Sequence, residues 1–146
     1  MSGIFKLSEP ALLALHAMAY LARHKGETVA VRKVAEIYSA SGHHLAKVLR
    51  ELSRKKLVVV VRGPRGGFKL AKPPSKITLM HVYEAIEGRY DPTVCFAKAK
   101  KCPLGVCILG GQIARLATEL KQYLNKTTLA MVAKESDRIL GKSKKL

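Results

Sequence analysis

SGHHLAKVLRELSRKKLVVVVRGPRGGFKL, Ser41 to Leu70, is the stretch that decides the fold. Leu45, Val48, Leu49 and Leu52 fall at i, i+3, i+4 and i+7, the stripe of an amphipathic helix. Ser41 stands where an N-cap hydroxyl belongs. The opposite face carries His43, His44, Lys47, Arg50 and Arg54. At Leu57 the period changes. LVVVV, Leu57 to Val61, is β-branched and reads as a strand. RGPRGG, Arg62 to Gly67, is turn chemistry. FKL, Phe68 to Leu70, alternates apolar and basic as a returning strand does.

Working outward on the N-terminal side, VRKVAEIY, Val31 to Tyr38, is a shorter helix, and SASG, Ser39 to Gly42, is a tight polar turn. A helix, a short turn and a second helix with a basic outer face form the helix-turn-helix pattern. Before it, Ser8-Glu9-Pro10 opens a first helix whose apolar stripe is read as Leu12, Leu15, Met18, Ala19 and Ala22. Three helices followed by a basic β-hairpin describe a winged helix. The expected fold class is therefore mainly α with a small β-hairpin: a winged helix-turn-helix plus a long dimerisation helix.

On the C-terminal side, KPPSK, Lys72 to Lys76, closes the winged unit. A helix is expected over 78–87, with Leu79, Val82, Tyr83 and Ile86 as its stripe. A long helix is expected after Gly110-Gly111, running to about Leu124, with Ile113, Leu116, Ala117, Leu120, Tyr123 and Leu124 on one face. A short helix starts at Thr127 or Thr128. The expected organisation is a DNA-binding unit over 1–75, a connecting helix over 76–92, a cysteine loop over 93–108, dimerisation helices over 109–134 and a basic, disordered tail over 135–146. The long helix lacks an intrachain partner large enough to cover its stripe, so a second copy of the chain is the expected cover.

Composition points to the partner. The 146 residues include 27 Lys and Arg against 10 Asp and Glu, a formal charge of +17. That surplus repels itself in a compact chain, and a polyanion relieves the repulsion while releasing counterions. Double-stranded DNA is the leading partner. The longest apolar run, Ala11 to Ala22, is too short to span a bilayer and is interrupted by His16. Three cysteines, an odd number, argue against a disulfide framework. The cytoplasm is the expected location. An enzyme is disfavoured: the glycines of RGPRGG lie in a hairpin and open no phosphate-binding helix. A single-strand RNA binder is disfavoured too, because the eight Phe and Tyr residues are scattered and Trp is absent.

All three cysteines fall in VCFAKAKKCPLGVC, Val94 to Cys107, with the spacing Cys-x6-Cys-x4-Cys. This is not the paired Cys-x2-Cys of a zinc ribbon. Thiolate triplets in a Pro- and Gly-bearing loop can wrap an iron–sulfur cluster. Lys98, Lys100 and Lys101 lie inside the loop, where their charge favours thiolate. Zinc also accepts three sulfurs and one further ligand, and a metal-free thiol switch is a third possibility.

With LVVVVRGPRGGFKLAKP, TTLAMV and the intervening cysteine triplet in view, the chain resembles the Rrf-two family of bacterial winged-helix regulators, the group that includes IscR, NsrR and CymR. The resemblance covers roughly 5–132. It implies a homodimer joined through the long helix and bound to palindromic promoter DNA. It also implies a [2Fe–2S] or [4Fe–4S] cluster on Cys95, Cys102 and Cys107, since the triplet aligns this chain with the cluster-bearing branch; the CymR type carries none. The signal would be redox state, nitric oxide or iron–sulfur supply. By the same resemblance, Arg62 matches the arginine that enters the minor groove, while Arg65 stands where relatives often have glycine. Ser41, His43, His44 and Lys47 would meet base edges or nearby phosphates, with Arg50, Arg54, Lys69 and Lys72 on phosphates. For a fourth cluster ligand, one branch uses a histidine three residues beyond the last cysteine, here Gly110. Others take a carboxylate, or a carboxylate and a histidine, from the partner's first helix. The carboxylate position is Leu12, and the histidine position is His16. Glu9 is a further candidate.

Overall fold

The computed structural model describes residues 7–24, 26–91, 103–109 and 111–143. The elements run α1 (Glu9–Arg23), α2 (Val31–Ile37), α3 (Gly42–Arg54), β1 (Val58–Val61), β2 (Gly67–Leu70), α4 (Leu79–Glu87), α5 (Gln112–Lys126) and α6 (Leu129–Ser143), with one 3₁₀ turn at Pro74–Lys76. The chain is mainly helical with one antiparallel hairpin, as the change of period at Leu57 predicts.

Local chemistry sets the helix starts. The Ser8 Oγ accepts from the Ala11 N–H, and the Ser41 Oγ accepts from the His44 N–H at 3.4 Å. Each satisfies a donor that the first turn leaves without a helical partner. At α4, Thr78 and His81 cap each other reciprocally: the Thr78 Oγ1 accepts from the His81 N–H, and His81 Nδ1 accepts from the Thr78 N–H. Histidine here fills the place usually taken by Glu or Gln in this motif.

The core gathers the inner faces of α1 to α4 with Leu57, Val58, Phe68, Ile77 and Leu129. Leu45, Val48, Leu49 and Leu52 of α3 are all buried, as their spacing requires. The face of α1 differs from the expected stripe. Its buried residues are Ala11, Leu13, Ala14, Ala17, Met18, Leu21 and Ala22, whereas Leu12 is 41% exposed. The reason is that α1 is packed from several sides, by α3, α4, α6 and β2. Alanines let those neighbours approach closely, so small residues rather than the leucines mark its interior face.

The hairpin pairs Val58 with Leu70, Val59 with Lys69, Val60 with Phe68 and Val61 with Gly67. A third segment joins it: the Val29 N–H donates to the Phe68 C=O and the Phe68 N–H to the Val29 C=O, both at 2.9 Å. This bridge moors the wing to the α1–α2 connection. It also explains Gly67, where an added Cβ would stand 2.2 Å from the Val29 carbonyl oxygen.

A smaller cluster joins α4 to α5 through Met80, Tyr83, Tyr90 and Leu124. The Tyr90 hydroxyl donates to the Ala117 C=O at 2.8 Å, and burial pushes the Tyr90 and Tyr83 phenols up. The α5–α6 junction is stitched to the start of α4: the Leu79 N–H donates to the Thr127 C=O and the Leu129 N–H to the Ile77 C=O. From there α6 returns across α1, where Arg23 Nε and Asp137 Oδ1 stand 2.9 Å apart. This corrects the expected disordered tail from 135. The helix continues to Ser143, held by Leu129 and Ala133 in the core and by the Arg23 bridge. Residues 144–146 of that tail lie outside the described residues.

Candidate functional site

The first candidate surface is the basic face of α3. Ser41, His43, Lys47 and Arg50 are exposed there and His44 is half-buried. His43, Lys47, Arg50 and Arg54 follow helical spacing, so one strip of α3 carries them. Few acids oppose this charge. Arg54 Nη1 bonds Glu51 Oε1 at 2.5 Å, and His44 Nδ1 lies 4.0 Å from Glu9 Oε1. The Arg50 Nε–H donates back to the Ala46 C=O at 3.2 Å, which holds its stem along the helix.

The second surface is the wing. Arg62 and Arg65 are exposed in the turn between β1 and β2, with no ion pair to either among the described residues. The turn closes through the Gly66 N–H donating to the Gly63 C=O at 2.9 Å. Gly63 has φ +112°, a conformation that side chains disfavour. A rigid, moored ribbon thus presents two guanidiniums, the group best suited to phosphate and to a narrow minor groove.

The third region is the cysteine loop. Cys107 is exposed, in a segment of turns at 103–109 that ends close ahead of α5. Its neighbours Leu104, Val106 and Ile108 are exposed as well, Ile108 by 80%. Cys95 and Cys102, with Gly110, lie outside the described residues. Among the described residues no group of three or more His, Cys, Asp or Glu side chains converges as a metal site.

His16 is exposed on α1. Its Nδ1 lies 2.7 Å from the Leu12 C=O. A carbonyl can only accept, so Nδ1 carries the proton and Nε2 holds the lone pair in the neutral ring. That is the tautomer a ligating histidine needs, with its second nitrogen already anchored. The ring meets Tyr38 edge-on at 5.2 Å, and burial, with a lesser contribution from Tyr20, raises the Tyr38 phenol. Glu9 and His16 line one shallow cavity of about 320 Å³ together with Leu12 and Tyr38. The two non-sulfur ligand candidates of α1 thus line the same cavity, about two helical turns apart. The sequence does not single out Tyr38, which it shows only as the last residue of the second helix.

Three helices, a moored two-stranded wing and an exposed basic strip define a winged helix-turn-helix protein. The comparisons agree in fold and in sequence. The sequence model of the Rrf2 family, described as iron-dependent transcriptional regulators, matches residues 7–135. The chain is 33% identical over 117 residues to the HTH-type transcriptional regulator NsrR of Oceanobacillus iheyensis, covering 79% of this chain and 80% of that one. Among solved structures, CymR of B. subtilis, titled the global cysteine regulator, is 25% identical with a TM-score of 0.75, covering 90% of this chain and 98% of CymR. IscR of T. potens is 24% identical with a TM-score of 0.71, covering 92% and 90%. The chain belongs to the Rrf2 family. It is a DNA-binding transcription regulator and not an enzyme. Among the described residues no helix is long and apolar enough to cross a membrane.

Proposed function

We propose that this chain is a homodimeric regulator of promoter DNA in the cytoplasm whose grip on a palindromic site is set by an iron–sulfur cluster on Cys95, Cys102 and Cys107. The observation that carries the reading is the position of the thiols: every cysteine of the chain falls within thirteen residues, just ahead of α5. The donor set fits the group, because three soft thiolates suit iron–sulfur chemistry and adjacent lysines offset the negative charge. When bound, the cluster supplies a redox- and ligand-sensitive centre. His16 of the partner's first helix would complete the ligand set through Nε2, its Nδ1 being tied to the Leu12 C=O, and Glu9 is the alternative on the same helix.

The rest of the device follows from the chain's own residues. α5 keeps Ala117 and Leu124 buried against α4 but leaves Leu116 and Tyr123 exposed, Tyr123 by 57%. A second copy covers that stripe. In the dimer the two α3 helices must stand ~34 Å apart to enter successive major grooves. Ser41, His43, His44 and Lys47 then read or brace base edges, Arg50 contacts phosphate, and Arg62 and Arg65 reach the minor groove. A change in the loop ahead of α5 alters the spacing of the two halves and weakens both half-sites together.

Anaerobic purification with iron and sulfide counts and an absorption spectrum tests the sensing half. The expected result is stoichiometric iron and sulfide with visible absorbance. A colourless, iron-free protein with unchanged DNA binding would leave the reader and remove the cluster. A second reading then takes over, a thiol-based switch, which the exposure of Cys107 favours.

A further inference from the structure

A cavity of the described fold lies away from both the basic strip and the cysteine loop. It opens between the end of α1, the segment that follows the wing, and α6, with a volume of about 790 Å³. That is the size range of small-molecule sites. We propose that it binds a small organic anion with an aliphatic body, of the monocarboxylate class, and that this ligand opposes DNA binding.

The walls supply the aliphatic half. Ala22 on α1 and Ala130 and Ala133 on α6 line the cavity, joined by Leu70 and Pro73. The alanines create the space, since α1 and α6 pack together here without large side chains to fill the gap between them. The charge supplies the other half. Lys72, Lys134 and Asp137 are the ionic side chains of the lining. Asp137 is already matched by Arg23 at 2.9 Å. Neither lysine has an acidic partner among the described residues. The unbalanced charge in an otherwise aliphatic pocket is positive, so an anion is favoured and a cation opposed.

The position links the pocket to the nucleic-acid face. Lys72 follows the last residue of β2 by two positions, so the pocket wall is the direct continuation of the wing. An anion seated beside Lys72 competes with backbone phosphate for that ammonium, and the competition is reciprocal. The inference stands on the cavity and its charge, and does not depend on the cluster.

The test uses full-length protein labelled at alanine methyls and titrated with octanoate, with octylammonium as the charge-reversed probe. Octanoate is expected to shift the methyl resonances of Ala22, Ala71, Ala130 and Ala133, and octylammonium to bind at least ~10-fold more weakly. Lys134→Glu, an exposed change, is expected to weaken octanoate by ~3- to 10-fold with an unchanged melting curve. Ala130→Leu, which narrows the pocket, is expected to abolish the shifts at the remaining alanines. The proposal is overturned if no cavity methyl moves, if only alanines of α5 move, if both probes bind equally, or if Lys134→Glu leaves octanoate affinity unchanged. Octanoate binding that leaves the affinity for duplex DNA unchanged would overturn the regulatory half.

Discussion

At the scale of single residues, charge and close approach make separate demands. Lys47 and Arg62 are both exposed cations, yet they are expected to fail differently. Lys47→Ala should weaken binding across all duplexes and lower the salt slope by about one counterion. Arg62→Ala should cost about 1–3 kcal/mol and relax preference for A·T-rich flanks, because a minor-groove arginine reads width. Fluorescence anisotropy against salt on duplexes with A·T and G·C flanks separates the two. Gly67 makes a steric demand instead. Its Cβ would meet the Val29 carbonyl oxygen at 2.2 Å, and backbone cannot swing aside as a side chain can. Gly67→Ala should cost ~1–3 kcal/mol of stability in urea unfolding. Arg65→Ala, in the exposed turn, should leave the midpoint unchanged.

At the scale of elements, each helix is set by its cap and its buried stripe, and the two can be weighed against each other. Ser41→Ala should cost about 1 kcal/mol through the lost cap of α3. Leu49→Ala should cost ~2–5 kcal/mol through the cavity it leaves, and calorimetry or denaturant melts check the order. The legibility of the fold follows the same division. α3 and the hairpin are legible because α3 buries a single leucine and valine stripe opposite a charged face, and the hairpin announces itself by a change of period. The stripe expected on α1 differs from its buried face because that face is wide and made mostly of small residues. Its interior is marked by alanines, which leave little hydrophobic contrast, and Leu12 was placed inward while it stands outside. The Val29 bridge had no periodic signal, being one residue in a connection. α6 was cut short at 134 because its outer face is polar; the tertiary bridge from Arg23 to Asp137 cannot be seen along the sequence. Of the candidate site, the basic strip was legible from spacing alone. Glu9 and His16 share a face of α1 by their i, i+7 spacing, while the cavity they line is formed only where Tyr38, Ser39 and Ala40 close over that face.

At the scale of the whole molecule, two exposed apolar regions flank the same helix. One is the loop around Cys107, with Leu104, Val106 and Ile108. The other is the outer stripe of α5, Leu116 and Tyr123, continued by Met131, Ile139 and Leu140 on α6. Contiguous apolar surface of this kind marks association. Leu116→Glu with Tyr123→Glu should convert the dimer into monomers in sedimentation equilibrium while leaving helix content unchanged. DNA affinity should fall steeply, since each monomer then engages a single half-site. The proposed dimer, joined through α5 and switched by the adjoining loop, would tie DNA binding to the state of three thiols. The direct test is the affinity of one duplex, selected by the protein from genomic fragments, for cluster-loaded and cluster-free protein at matched salt without oxygen. A difference of ~10-fold or more, abolished in Cys107→Ser, is the predicted result. Equal affinities for loaded, cluster-free and Cys107→Ser protein would contradict it.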